Sequence, residues 1–160
     1  MVRGFSRGGR WSHLFNRIAF WLFLVAFGVP FFADLGNAAL HQVNGDDGDC
    51  RIVSVIDGDT LSMWCAGQGI SRVRLTGFDT PEKFSPQCMS EVIAAERATW
   101  ALRRIVYSAT VLQYVTTGTD KYGRRLRAID MDGKPLANLM IAAGHARANK
   151  GERRLGWCDR

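Results

Sequence analysis

The stretch RIVSVIDGDTLSMWC, residues 51–65, has the pattern of a β-hairpin. Its first half alternates along the chain, so that Ile52, Ser54 and Ile56 fall on one face of a strand. The Asp-Gly pair at residues 57–58 is typical of the turn between two antiparallel strands. Since TLSMWC follows as a second short strand pattern, the sequence predicts two paired strands joined by a polar turn.

Beyond the hairpin, the periodicity changes between strand and helix in a definite order. A third strand follows the turn AGQG and ends at Pro81, and apolar residues then recur at spacings of three and four, as in a helix. Two further strands and a short helix starting at Pro135 complete the pattern. These predicted elements cover residues 70–78, 89–107, 109–116, 124–131 and 135–143. The order predicts an α+β, mainly β fold: a five-stranded barrel of the oligonucleotide/oligosaccharide-binding type with two helices.

Composition indicates a globular chain with a modest basic excess. Its 160 residues suit one domain, and 47% hydrophobic with 22% charged residues excludes a disordered chain. The net charge is +6, from 21 Lys and Arg against 15 Asp and Glu. Such an excess suits a polyanionic partner, although charge alone does not identify one.

The N-terminal residues have the pattern of a targeting segment. Four arginines precede the uncharged run Ile18–Ala33, and small residues follow at 36–39. This order of basic, apolar and small residues predicts a signal peptide cut after Ala38 or Ala39. The run is shorter than a bilayer core and contains Pro30, but a tilted helix would serve as a membrane anchor instead.

Both interpretations place the remainder of the chain outside the cytoplasm, because the arginines hold the start inside. Residues 1–39 are therefore expected to be a signal peptide or membrane anchor, 40–49 a linker, and 50–160 the folded domain. Localisation is expected to be periplasmic or extracellular, with association to the inner membrane through residues 18–33 if the segment is retained.

Four cysteines follow the targeting segment, and an even number in an exported chain indicates two disulfides. Cys50 and Cys65 are equidistant from the hairpin turn and so face each other across the two strands. Cys88 then pairs with Cys158 by elimination. A zinc site is the alternative, but the sequence contains no Cys-x-x-Cys pair.

Four carboxylates occupy two predicted turns: Asp57, Asp59, Asp79 and Glu82. Hard cations such as Ca²⁺ prefer oxygen ligands gathered from loops, and clustered carboxylates without a cation repel each other. Arginines at positions 74 and 124 lie near these turns, and a guanidinium presents paired donors that fit phosphate oxygens. Together these groups predict phosphodiester hydrolysis, in which a metal polarises the phosphate, a carboxylate activates water and the arginines stabilise added charge.

Three segments in this order, VIDGDT at 55–60, RLTGFDTPE at 74–82 and DKYGRRLRAI at 120–129, resemble the signature segments of the staphylococcal nuclease-like (thermonuclease) family. The resemblance extends over about residues 51–148. It implies an oligonucleotide-binding-type barrel and Ca²⁺-dependent cleavage of DNA and RNA.

The resemblance also implies a role for each matching residue. Asp59 and Asp79 would bind Ca²⁺ through side chains and Thr80 through its carbonyl, with Asp57 supporting the metal site. Glu82 would act as general base. The remaining matches are phosphate ligands, Arg74 and Arg124, and neighbours of a terminal phosphate, Lys121 and Tyr122.

We therefore predict an exported Ca²⁺-dependent nuclease acting on DNA or RNA, with single strands preferred. One alternative is a catalytically inactive barrel that only binds nucleic acid or another ligand. A second alternative is a disulfide-stapled, membrane-tethered structural module in which the acidic cluster binds Ca²⁺ for stability.

Overall fold

The hairpin at residues 51–65 forms as predicted, with Cys50 opposite Cys65 and Ile52 opposite Met63. Beyond Ile52 the register shifts by one residue, so that Ser54 lies opposite Ser62. A bulge of this kind increases the local twist of a strand pair and helps it curve into a barrel. The Asp-Gly pair lies in the connection between the two strands.

The computed structural model describes residues 9–29, 31–32, 34, 36, 42–149 and 156–158. The helices of these residues are α1 (Gly9–Phe23), followed by a π-helical turn (Leu24–Gly28), α2 (Met89–Ser108) and α3 (Leu136–Ala142). The strands are β1 (Gln42–Gly45), β2 (Cys50–Val55), β3 (Thr60–Cys65), β4 (Gly69–Leu75), β5 (Phe78–Asp79), β6 (Leu112–Thr119), β7 (Arg125–Met131), β8 (Lys134–Pro135) and β9 (Arg147–Ala148).

The main sheet closes on itself as a barrel. Its strand order is β4-β3-β2-β1-β6-β7-β8, and an additional pairing of β4 with β7 closes the ring. The contacts of β1 with β6 and of β4 with β7 are parallel, and the other pairings are antiparallel. A two-stranded sheet of β5 and β9 lies beside it. This closed, mixed barrel confirms the predicted fold class.

The predicted linker at 40–49 is wrong where the structure describes it, because residues 42–45 form strand β1. Gln42–Gly45 lies between β2 and β6 and pairs with both strands, which adds a strand to the predicted five. The polar, Gly-rich composition hid the single core residue Val43, which is 0% exposed. Within the described residues the barrel therefore begins at Gln42, eight residues before the predicted domain start at residue 50.

The third predicted strand is interrupted rather than continuous over 70–78. Strand β4 ends at Leu75 and β5 begins at Phe78, with Gly77 at a φ of 92° between them. A Cβ at Gly77 would also lie 3.1 Å from the Cβ of Ala137. Glycine is favoured here because the position requires both left-handed backbone and a close approach to α3. The break turns the chain so that Asp79 and Thr80 face inwards.

Both predicted disulfides are present, as Cys50–Cys65 and Cys88–Cys158. Among the described residues, one group of three potential metal-binding side chains has its ligand atoms within 4.8 Å of one another. It consists of Cys88, Glu91 and Cys158. Its two sulfurs are bonded to each other, so neither can serve as a zinc thiolate.

The N-terminal helix and its π-helical turn expose large apolar side chains, Trp21 and Val25 among them. Of the helices in the described ranges, none combines the length and the apolar character needed to cross a membrane. Asp34 accepts hydrogen bonds from Arg103 Nε (3.1 Å) and Nη2 (3.2 Å) on α2. This contact joins the N-terminal segment to α2 near strand β2, because Arg103 Nη2 also donates to the Val55 carbonyl at 3.0 Å.

A fully buried arginine lies inside the barrel. The side chain of Arg127 is 0% exposed, packs 3.9 Å from the ring centre of Tyr114 and donates from Nη2 to Asp47 Oδ1 at 2.9 Å. Burial raises the pKa of Asp47, but hydrogen bonds from Tyr114 and the Arg127 guanidinium hold it below its ordinary value. Burial and the Asp47 carboxylate raise the pKa of Tyr114 to about 12. The turn after β1 therefore neutralises a cation in the core.

Asp47→Ala is expected to lower the free energy of unfolding by about 3 kcal/mol at pH 7, because it leaves a buried guanidinium without its carboxylate. The folded-state pKa of Asp47 is depressed, so its stabilisation is present above its unfolded pKa and is lost as pH falls through the folded pKa. The difference in the free energy of unfolding between the wild type and Asp47→Ala should therefore become smaller at acidic pH. Urea unfolding at neutral and acidic pH measures both effects.

Asp49→Ala is the matched control, since Asp49 accepts one exposed hydrogen bond from Gln42 Nε2 at 3.0 Å. It should change the free energy of unfolding by less than about 1 kcal/mol. Equal losses in the two variants would show that the Asp47–Arg127 pair is not a special contributor to stability.

Candidate active site

A cleft of about 940 Å³ opens where the ends of β3 and β4 meet the loop before β7. Its lining comes from three segments that are distant in sequence, within residues 56–60, 72–84 and 120–126, together with Asn149. The predicted site residues that line it are Asp57, Asp59, Arg74, Thr80, Glu82, Lys121, Tyr122 and Arg124. Asp79 does not line the cleft but lies directly behind it, 8% exposed.

An acidic pair and one arginine form the centre of the site. Arg74 Nη2 lies 2.6 Å from Asp59 Oδ2 and 3.7 Å from Asp79 Oδ1, so both carboxylates lie within 4 Å of one nitrogen. Strand register explains the first contact, because Thr60 on β3 lies opposite Arg74 on β4. The main chain of Asp59 accepts the amide of Leu75 at 2.8 Å, which fixes the turn against β4.

The turn that carries Asp59 is held by its own side chains. Asp57 Oδ1 accepts the Asp59 amide at 3.0 Å, and Thr60 Oγ1 donates to Asp59 Oδ1 at 2.9 Å. An aspartate that binds the amide two residues later is a common way of fixing a turn. The Asp57 side chain thus fixes the turn that carries Asp59.

Arg124 is oriented by Asp120, the first residue of the DKYGRRLRAI segment, for which the sequence predicted no role. Asp120 Oδ2 accepts from Arg124 Nε at 2.7 Å, and Oδ1 accepts the amides of Tyr122 and Arg124, each at 2.9 Å. Partial desolvation raises the pKa of Asp120, but these hydrogen bonds outweigh it and hold the pKa below its ordinary value. Since Asp120 binds Nε, the terminal nitrogens of the guanidinium are not used by this carboxylate.

The opposite wall of the cleft carries Glu82, immediately after Pro81. Glu82 Oε1 accepts the amide of Phe84 at 3.2 Å, which folds the side chain onto its own loop. Lys121 Nζ lies 5.0 Å from the ring centre of Tyr122, and that ring is 72% exposed. The cleft thus combines an acidic centre, cationic edges and two exposed aromatic side chains, Tyr122 and Phe84.

Gly58 packs closely against the second acidic loop and against α2. A Cβ at this position would lie 2.9 Å from Ala98 Cβ, 2.9 Å from Thr80 Oγ1 and 3.0 Å from Thr80 Cβ. The neighbours are short side chains and cannot swing aside, so absence of a side chain at 58 is what lets the two acidic turns meet.

Gly58→Ala is therefore expected to lower the free energy of unfolding by about 1–3 kcal/mol, as overpacking does. It should also weaken binding of any cation held jointly by the two turns. Chemical denaturation and a Ca²⁺ titration measure these effects. Gly156→Ala is the control, because its Cβ would meet no atom within 4 Å; a similar loss in both variants would contradict the packing argument.

The fold and cleft define a barrel of the oligonucleotide/oligosaccharide-binding type with an acidic, arginine-flanked site at the strand ends. Residues 72–155, just over half of the chain, match the family described as "Staphylococcal nuclease homologue", and the chain belongs to that family. The match spans Arg74, Asp79, Glu82 and Arg124, while Asp59 lies before its start.

Three relatives extend the comparison. The chain is 30% identical over 106 residues to a "Thermonuclease" of Staphylococcus hyicus (66% of this chain, 62% of the relative) and 35% identical over 95 residues to a "Thermonuclease" of Staphylococcus intermedius (59% and 55%). It is 31% identical over 111 residues to an "Uncharacterized endonuclease" of Haemophilus influenzae (69% and 58%). The matched region thus spans less than two thirds of each relative's length.

Proposed function

We propose that this protein is a Ca²⁺-dependent nuclease that hydrolyses phosphodiester bonds of DNA or RNA. One observation carries the proposal: a single cleft brings together Asp59, Arg74, Glu82 and Arg124, from segments up to 65 residues apart in sequence, and Asp79 lies behind it within 4 Å of Arg74. Family membership and the nuclease names of three relatives support the same reaction.

The donor set fits a hard divalent cation. Asp59 and Asp79 present carboxylate oxygens near one point, and Thr80 follows directly with a main-chain carbonyl. All are oxygen donors from loops, which Ca²⁺ prefers, and the described part of the site contributes no thiolate or imidazole. When bound there, the ion would polarise the phosphate and offset its charge. In the structure Arg74 supplies the positive charge that keeps the two carboxylates together.

Residues of the chain supply two further parts of the reaction, namely activation of water and stabilisation of the transition state, while the leaving oxygen takes its proton from solvent when the P–O bond breaks. Glu82 takes a proton from the attacking water, which general base catalysis requires. Arg74 and Arg124 donate to the phosphate oxygens on which negative charge increases in the transition state. Asp120 orients Arg124 through Nε, which limits the rotation of the guanidinium before the substrate binds.

Single-stranded substrates suit the cleft best. The ring of Tyr122 is open to solvent beside Lys121, and a ring of this kind stacks on an unpaired base while the lysine meets a phosphate. A duplex would have to unpair before its bases reached this ring.

Asp79→Asn tests the metal site within this proposal. It removes a charged ligand, so we expect weaker Ca²⁺ binding in calorimetry and a higher Ca²⁺ concentration for half-maximal cleavage. At saturating Ca²⁺ most of the activity should return. Asp130→Asn, an exposed carboxylate on β7, is the control and should leave both quantities unchanged. Unchanged Ca²⁺ affinity in Asp79→Asn would remove Asp79 from the ligand set.

We also propose export, with residues 1–39 as the targeting segment. Cleavage after Ala38 or Ala39 would remove Asp34, the partner of Arg103. The intact mass of protein recovered from the cell envelope distinguishes a cleaved signal from a retained anchor. Recovery of the full-length chain in the cytoplasm alone would contradict export.

A further inference from the structure

A buried carboxylate on α2 reaches the loop that carries the proposed general base. Glu91, in the first turn of the helix and 5% exposed, accepts the amide of Glu82 through Oε1 at 3.2 Å. Its other oxygen, Oε2, accepts the amide of Gln87 at 2.8 Å. One side chain therefore ties both ends of the intervening loop, and a buried carboxylate makes strong bonds of this kind.

Helix capping explains only half of this arrangement. With Cys88 as the N-cap, Glu91 is the third helical residue, the position from which glutamate commonly reaches back to an amide before the helix. The bond to Gln87 is of that local type. The bond to Glu82 spans nine residues and leaves the helix altogether, so helix stability does not require it.

Two neighbouring contacts lie where the same loop meets α2, a largely exposed ion pair and a disulfide. Lys83 Nζ lies 2.9 Å from Glu96 Oε1, five residues further along the helix than Glu91. The Cys88–Cys158 disulfide lies at the start of α2, with Cys158 Sγ 3.9 Å from Glu91 Oε2, where it covers the carboxylate. Helix α2 therefore contacts both acidic loops, because Ala98 on this helix also packs against Gly58 of the other acidic turn.

We propose that Glu91 is a positioning residue for Glu82, setting the distance of its carboxylate from the reacting phosphate. This inference rests on the proposed role of Glu82 as general base. Pro81 restricts the backbone on one side of Glu82, and Glu91 holds its amide, so the main chain from which the Glu82 side chain extends is restrained. A displacement of about 1 Å at a catalytic group can reduce turnover by about a hundredfold.

Glu91→Gln tests the proposal, because the amide keeps the size but loses the charge. We expect kcat to fall about 10- to 100-fold, with KM for an oligonucleotide and the Ca²⁺ dissociation constant within about threefold of wild type. Glu96→Gln is the matched control on the same helix and should stay within about threefold in all three quantities, since Glu96 contacts a flexible lysine. Thermal melting of each variant allows rates to be compared per folded molecule.

A double-mutant cycle separates positioning from general stabilisation. In a Glu82→Gln background, Glu91→Gln should reduce the residual rate by less than about threefold, because the group that it positions is already inactive. Equal losses in both backgrounds, or a loss explained by the fraction unfolded, would overturn the proposal while leaving the role of Glu82 intact. A wild-type rate for Glu82→Gln alone would instead overturn the general-base assignment.

Hydrogen exchange tests the clamp without any substitution. The amides of Glu82 and Gln87 should exchange more slowly than that of Ser85, an exposed residue of the same loop. Equal exchange rates at the three positions would show that Glu91 does not hold the loop in solution, and would overturn the inference even if a Glu91 variant failed to fold.

Discussion

Glu82→Gln is expected to lower the single-turnover rate of cleavage by about 10²–10⁴, the usual range for loss of a general base. Glutamine keeps the size of the side chain and one carbonyl oxygen, so the hydrogen bond from the Phe84 amide can persist and the loop should keep its shape. It cannot accept the proton of the attacking water at neutral pH. Ca²⁺ affinity, measured by calorimetry, should change little.

The pair of readouts assigns the role of Glu82. A large fall in rate with unchanged Ca²⁺ affinity is the result for a base, whereas a parallel fall in both would make Glu82 a metal ligand. If Glu82→Gln cleaves at the wild-type rate, Glu82 only stabilises its turn and another group must activate the water.

Arg74→Lys and Arg124→Lys are each expected to lower turnover by about 10²–10³, as loss of a transition-state donor does. Lysine keeps the positive charge but lacks the planar, paired donors of a guanidinium. At position 124 the change also removes the Nε donor that Asp120 holds at 2.7 Å. Single-turnover rates at saturating oligonucleotide measure the loss, and substrate affinity should change much less than turnover.

Arg72→Lys is the matched control for the two arginines. Arg72 lies on β4 two residues before Arg74 and borders the same cleft, but its side chain is exposed at the edge. Its replacement should leave turnover within a few-fold of wild type. If Arg74→Lys and Arg124→Lys behave like this control, the two arginines only attract the substrate, and the phosphate clamp is wrong.

The hairpin was predictable because its determinants are local. Alternation of apolar residues sets which side chains share a face, and the Asp-Gly pair sets the centre of the turn, so the opposition of Cys50 and Cys65 follows. Part of the cleft was also predictable from the pairing of neighbouring strands. Thr60 lies opposite Arg74 once β3 and β4 pair, which places Asp59 beside the guanidinium.

Other features depend on contacts that leave no periodic signal. Strand β1 has one buried apolar residue, Val43, so its pattern looks like a linker, and its pairing is fixed by β2 and β6. Glu91 and Asp120 act by side-chain bonds to loop amides, which neither composition nor periodicity reveals.

Arg127 is a different case, because a signal was present. It shares the inward face of β7 with Ile129 and Met131, at a period of two, and this places it in the core. Arginine is rarely buried, so the residue type favoured the surface. Its carboxylate partner, Asp47, lies 80 residues away, and the sequence of the strand does not indicate that contact.

Cleavage of an end-labelled single-stranded oligonucleotide by the full-length protein, with Ca²⁺ or with a Ca²⁺ chelator, tests the central claim most directly. The wild-type protein should cut the strand only when Ca²⁺ is present, and Glu82→Gln at the same Ca²⁺ concentration should cut it at least about a hundredfold more slowly. Binding of the strand without any cleavage, or a Ca²⁺-induced rise in melting temperature without products, would contradict the assignment of this cleft as a nuclease active site.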